Sequence, residues 1–273
     1  MTRDEKLKEI GKVARFVRGA EKEINAIGIV PRVPYKFPFD IVGLATLSKA
    51  FSLSNACLKL LRSDQPDEAF ALSRSIVECA NNLRYMTEKP EVQDKRVRSF
   101  VKQHKADKAY WAHYCLELFA GRPEEQEIRD FMQQEGITPD TKPAGRHWSG
   151  ERGFVWDTMT VDHPLDGPVT ERHKKISYAA DYFHTSTFVH CALPAIDNHA
   201  VEEGAPFRVS TASGLHETTQ STLFTVLIYL HSTICYAMYG ANLESPKTAA
   251  LFQRTLNSME PYERQYSKIN HSA

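Results

Sequence analysis

The chain has 273 residues, 42% hydrophobic and 25% charged, an ordinary globular balance with length enough for a large core. Lys and Arg total 34 and Asp and Glu total 34, so no global field draws the chain to nucleic acid or to an anionic membrane. Any such binding needs a local patch. The five cysteines are odd in number, form no CxxC pair and sit in apolar surroundings. They read as reduced packing residues of a cytoplasmic protein. The charged opening, MTRDEKLKEIGKVARF, has no apolar signal core, which points the same way.

In chain order, Leu7, Ile10, Ala14, Val17, Ile24 and Ile27 recur at helical steps and predict one amphipathic helix ended by Gly28. The proline-rich PRVPYKFPF cannot continue it. Asp40 can cap a second helix running to about Arg62, with a face of small side chains (Ala45, Ser48, Ser52, Ala56) that permits close packing. SDQPDEAF reads as a turn and a helix start, with the third helix reaching about Lys89. Pro90 opens a long fourth helix to about Ala120, and Pro123 opens a short acidic one ending at Gly136.

Residues 137–170 are rich in Pro and Gly and carry His147, Trp148 and Trp156. A loop this long with aromatic content predicts a cover packed on the helices. Helical pattern resumes at Thr170 and passes His190; an uncharged helix follows from about Leu215 and a last one from Pro246. FRVSTAS is the one short run of period two. The expectation is a single all-α domain over residues 1–273, a multi-helix bundle with a long covering loop at 137–170.

From Thr218 to Leu243 no Asp, Glu, Lys or Arg occurs, a length that suits a membrane span. The same run holds Thr218, Thr219, Gln220, Thr222, Thr225, His231 and Thr233. Polar groups that dense suit the central helix of a soluble bundle better than hydrocarbon, so no membrane is expected. The aromatics Tyr110, Trp111, Tyr114 and Phe119, and Tyr229, Tyr236 and Tyr239, read as core.

Two polar stripes fall among the apolar residues. Tyr178, Tyr182, Ser186 and His190 stand four apart, flanked by Asp181, His184 and Thr185. Arg74 and Glu78 stand four apart on the third helix, followed by Asn81, Asn82 and Tyr85. A buried guanidinium must be paired, and one carboxylate does not satisfy its five donors. The expected network joins Arg74 and Glu78 to Tyr182, Ser186 and His190.

The stretches LSRSIVECANNLRYM and YFHTSTFVH resemble an uncharacterised bacterial all-helical family, domain of unknown function 5677. That family carries an Arg-x3-Glu helix and, later, a Tyr-x3-Ser-x3-His helix. The resemblance sets Arg74 and Glu78 on the first and Tyr182, Ser186 and His190 on the second. It also sets Trp148 of RHWSG beside a Trp that precedes the second motif. It implies a helical fold and no particular activity. A more distant likeness to helical toxin and phage-defence nucleases of the HEPN group is one of architecture, which does not give function. Arg98 and His104 in RSFVKQH match the spacing of that group's motif, a spacing that chance also supplies.

Two function classes follow. In the first, a stress or phage-defence effector acts on RNA or a nucleotide. There His190 is the acid or base, Glu78 orients it and Arg74 binds an anion, with Tyr182 and Ser186 beside them. Lys95, Arg98, Lys102 and Lys105, at steps of three, four and three, would hold phosphates, although Glu91, Asp94 and Asp107 dilute that stripe. In the second, the protein binds or assembles without chemistry and the cluster fixes helix register. A bundle of this kind can readily homodimerise. No cofactor is expected, because P-loop, GxGxxG and GxSxG patterns are missing. No metal site is expected either: HETTQ lacks a second His, and Asp181 with His184 makes half a site at most, though His163, His173, His184, His190 and His199 are the candidate ligands.

Overall fold

A computed structural model describes residues 2–27, 39–138, 163–165, 178, 182 and 216–242, with 246, 248–251, 253–254 and 256–257. The helices are α1 (Arg3–Ile27), α2 (Phe39–Arg62), α3 (Pro66–Thr87), α4 (Gln93–Leu118), α5 (Glu124–Gln134) and α6 (His216–Gly240). A single 3-10 turn, Pro90–Val92, leads into α4. The described residues between 246 and 257 are helical too, and no strand occurs among the described residues. The protein is all-α.

At the centre α6, α3 and α2 pack on one another, and α1 lies on α2. Leu58, Leu61, Ile76, Leu83, Leu227 and Leu230 are almost wholly buried between them. Burial of side chains this size stabilises by about 1.5–3 kcal/mol each. On α1 the expected stripe is buried from Ile10 through Ile24, whereas Leu7 is largely exposed, beside an ion pair that ties Lys6 to Asp64.

Both α2 and the Thr218–Gly240 part of α6 are long and apolar enough to cross a membrane, but 72% of the α6 window is buried inside the protein. Two of its buried hydroxyls are satisfied one turn back: Thr222 donates to the Thr218 carbonyl and Thr233 to that of Tyr229. That local bonding lets an uncharged but polar sequence form a core helix.

Helix ends follow local chemistry. Asp64 takes a left-handed φ of 55° after α2, and the Gln65 amide returns to the Leu60 carbonyl. Gly136 does the same after α5 at φ 59°, with Gly136 bonded to Gln133 and Ile137 to Met132. This paired pattern closes the open carbonyls of the last turn. Ile137 then packs with Ile128, Met132, Ala109, Ala112 and Cys115 in a small core of its own between α4 and α5.

One end of the bundle is a tight junction. Phe39 opens α2 and its ring packs against two glycines, Gly43 one turn later and Gly240 at the end of α6. A Cβ at Gly240 would collide with the Phe39 ring and the Thr87 methyl. Gln93, at the start of α4, donates to the Gly240 carbonyl at 2.9 Å. His163 is buried at the same end. Its Nδ1 accepts the Leu165 amide at 3.1 Å, so Nε2 carries the proton and donates to Thr87 Oγ1 at 3.0 Å. Thr87 passes its own proton to the Leu83 carbonyl. Tyr236 and Tyr239 meet the imidazole edge to face. The expected covering loop is therefore anchored at 163–165; the remainder of 139–170 lies outside the described residues.

Candidate functional site

The helical periodicity of α3 puts Arg74, Glu78, Asn81 and Tyr85 along one side. Apolar neighbours on its other sides, Ile76, Val77, Ala80 and Leu83, hold α3 against α2 and α6. Arg74 reaches one turn on to Glu78, with Nη2 at 3.1 Å from Oε1. The same Nη2 donates to the Tyr182 hydroxyl at 2.8 Å. The guanidinium also lies 4.8 Å from the centroid of the Tyr182 ring. Tyr178 stacks on Tyr182 at 5.7 Å, and both have π-helical backbone. Such widened turns recur at functional sites.

Three of the five expected members thus meet: Arg74, Glu78 and Tyr182. Ser186 and His190 lie outside the described residues, as do Asp181, His184, Thr185 and Trp148. The cluster opens to solvent on its acidic side, where the Glu78 side chain is 45% exposed against 18% for Arg74. Both described partners of Arg74 use Nη2, while Nε is buried and meets no acceptor among the described residues. Asn81, one turn beyond Glu78, is buried with an unpartnered Nδ2. Sequence spacing identified the Arg74–Glu78 pair; nothing in it marked Asn81 as an unsatisfied amide.

Lys95, Arg98, Lys102 and Lys105 are all exposed on α4, and so is His104. Lys95, Arg98 and Lys102 make no ion pair among the described residues. Lys105 lies near Glu135, whose carboxyl is held below its usual range first by a hydrogen bond from Lys108. Arg96, between them, turns inward instead, onto the Tyr85 ring and the Glu88 carboxylate.

The aromatic expectations divide. Tyr229 and Tyr236 are buried. Tyr110, Trp111 and Tyr114 are not core: each is more than half exposed, on the side of α4 opposite the buried Ala109, Ala112 and Cys115 that face α5. The small side chains of α2 also act otherwise than expected. Ser48 and Ser52 line a groove of about 520 Å³ between α1 and α2, floored by Ile24, Leu47 and Phe51.

No group of three or more metal-type ligands occurs among the described residues. Among the same residues Cys57, Cys79, Cys115 and Cys235 are free thiols. Burial pushes Cys57 up to about 12 and Cys79 to about 11, which makes both inert at neutral pH. His231 lies 3.4 Å from the Cys235 sulfur, and burial lowers its pKa to about 4. A neutral imidazole of that kind is a weak base for the thiol.

Fold and cluster together define an all-helical bundle protein whose α3 presents an Arg–Glu pair to a Tyr from a distant part of the chain. The profile of the family of unknown function DUF5677 matches residues 40–206, more than half of the chain. The protein belongs to that family. No curated protein and no solved structure shows significant similarity to it.

Proposed function

We propose that this protein is a cytoplasmic effector of stress or phage defence that engages RNA or a nucleotide at the Arg74–Glu78–Tyr182 cluster. The observation that carries the reading is the incomplete use of Arg74: among the described residues Nη2 holds both partners, and the Nε–H has none. A phosphate oxygen displacing the half-exposed Glu78 carboxylate would find a planar fork already oriented by the Tyr182 ring. Ser186 and His190, four and eight residues beyond Tyr182, are the proposed groups for proton transfer. The exposed cations Lys95, Arg98, Lys102 and Lys105 are the proposed contacts for further phosphates.

Glu78→Gln tests this, because it removes the competing carboxylate and leaves the helix intact. Binding of a short single-stranded RNA and of ATP, read by fluorescence anisotropy, should tighten several-fold in Glu78→Gln and be lost in Arg74→Met. Equal affinity in all three proteins removes the reading.

A second reading, a non-catalytic binding or assembly protein, is favoured by a separate observation. Arg74 already has a carboxylate at 3.1 Å and a tyrosine face at 4.8 Å, a neutralised arrangement that fixes two helices together. On this reading Arg74→Met lowers the melting temperature and changes no ligand affinity.

A further inference from the structure

The outer side of α4 carries the largest exposed apolar groups of the described residues. Tyr110, Trp111, Tyr114 and Leu118 are 62%, 53%, 60% and 56% exposed. Residues 110, 114 and 118 succeed one another turn by turn, and Trp111 fills the space beside them. Among the described residues one ring contact backs the patch, Trp111 against Phe131 of α5 at 5.5 Å. Behind it lies the small core of the α4–α5 pair, separate among the described residues from the main core that the start of α4 joins through Val97. A small core gains from cover on its free side.

We propose that this side of α4 is a homodimer interface, in which α4 packs antiparallel on α4 of a second copy about a two-fold axis at Tyr114. The stripe is self-complementary in that register, as a two-fold interface requires. Tyr114 meets its own counterpart, and Tyr110 meets Leu118 of the other copy. The polar ends also match. Exposed Asp107 comes level with the turn beyond Leu118 that carries exposed Arg122 of the other copy. Area is sufficient: an aromatic side chain can bury about 150–250 Å², so four half-open groups offer roughly 400 Å² of apolar surface per copy. Two copies cover about half of a standard interface of roughly 1,600 Å², and the polar rim supplies the remainder. The largest apolar patch on a protein surface, at a few hundred Å², is often a functional one. The proposal is independent of the reading given to Arg74.

Light scattering after size exclusion, at concentrations from about 1 to 100 μM, should show a dimer in the upper range. Tyr114→Glu should be monomeric throughout with an unchanged far-UV spectrum, since the side chain is exposed. Tyr114→Cys should form a symmetric disulfide dimer on mild oxidation, above the background of the unsubstituted protein. A protein that is monomeric at every concentration overturns the proposal and leaves the face to another kind of partner. A dimer that survives Tyr114→Glu unchanged overturns it as well.

Discussion

Arg74 and Tyr182 are 108 residues apart in the chain and meet twice: hydroxyl to Nη2 at 2.8 Å, and ring beneath guanidinium at 4.8 Å. The two contacts can be separated. Tyr182→Phe keeps the ring and removes the hydroxyl, and should destabilise by about 1.5–3 kcal/mol, the usual range for a hydrogen bond to a charged group. Tyr182→Ala removes both and should cost roughly 1 kcal/mol more. Urea midpoints of the three proteins measure the split. Equal midpoints for Tyr182→Phe and the unsubstituted protein would mean the hydroxyl is equally well served by water.

The junction around Phe39 predicts a steep response to one methyl group. Gly240→Ala drives a Cβ into the Phe39 ring and the Thr87 methyl and should destabilise by about 2–3 kcal/mol. Gly43→Ala places its Cβ 2.8 Å from the edge of the same ring and should cost less, because only the aromatic must shift. Thermal unfolding ranks them. A Gly240→Ala protein as stable as the original would contradict the packing.

Thr87→Val is close in shape but removes the acceptor for His163 Nε2–H. The buried imidazole then loses its Thr87 partner, at about 1–3 kcal/mol. The loss should be local first. Amide exchange at Leu165, bonded to His163 Nδ1, should speed up well before exchange in the middle of α6.

His231 sets a pH dependence. Burial holds its pKa at about 4, below the usual 6.5, so the unfolded chain takes up a proton that the folded form refuses. Its contribution is constant above about pH 6.5 and turns against folding as pH falls toward 4. The slope approaches ~1.4 kcal/mol per pH unit in that window. His231→Gln should flatten it: the loss of stability between pH 7 and pH 5, read from urea midpoints, should be smaller in the variant by about 2 kcal/mol. Parallel pH profiles would show that the imidazole is protonated without cost.

Helix boundaries were legible because capping and breaking residues act locally. Pro66, Gly121 and Gly136 fall within a residue or two of the predicted ends, whereas the expected start of the fourth helix at Pro90 is a 3-10 turn, with α4 proper from Gln93. The Arg74–Tyr182 contact was legible for another reason. Each residue stood on a polar stripe of period four inside an apolar pattern, and a guanidinium in that setting demands a partner. The exposure of Tyr110, Trp111 and Tyr114 was not legible. Periodicity says that a helix has an apolar side but not that a second helix arrives to cover it. His163 was hidden for a related reason: it was one of several histidines, and its partners lie on α3 and α6, more than 70 residues away in each direction.

The anchoring of His163 also decides what that ring is unable to do. A metal ligand or a general base needs a nitrogen with a free electron pair. Nδ1 gives its pair to the Leu165 amide, and Nε2 is occupied by its proton. Any zinc or nickel the protein takes up must therefore find other ligands or first pull the 163–165 turn off the helices.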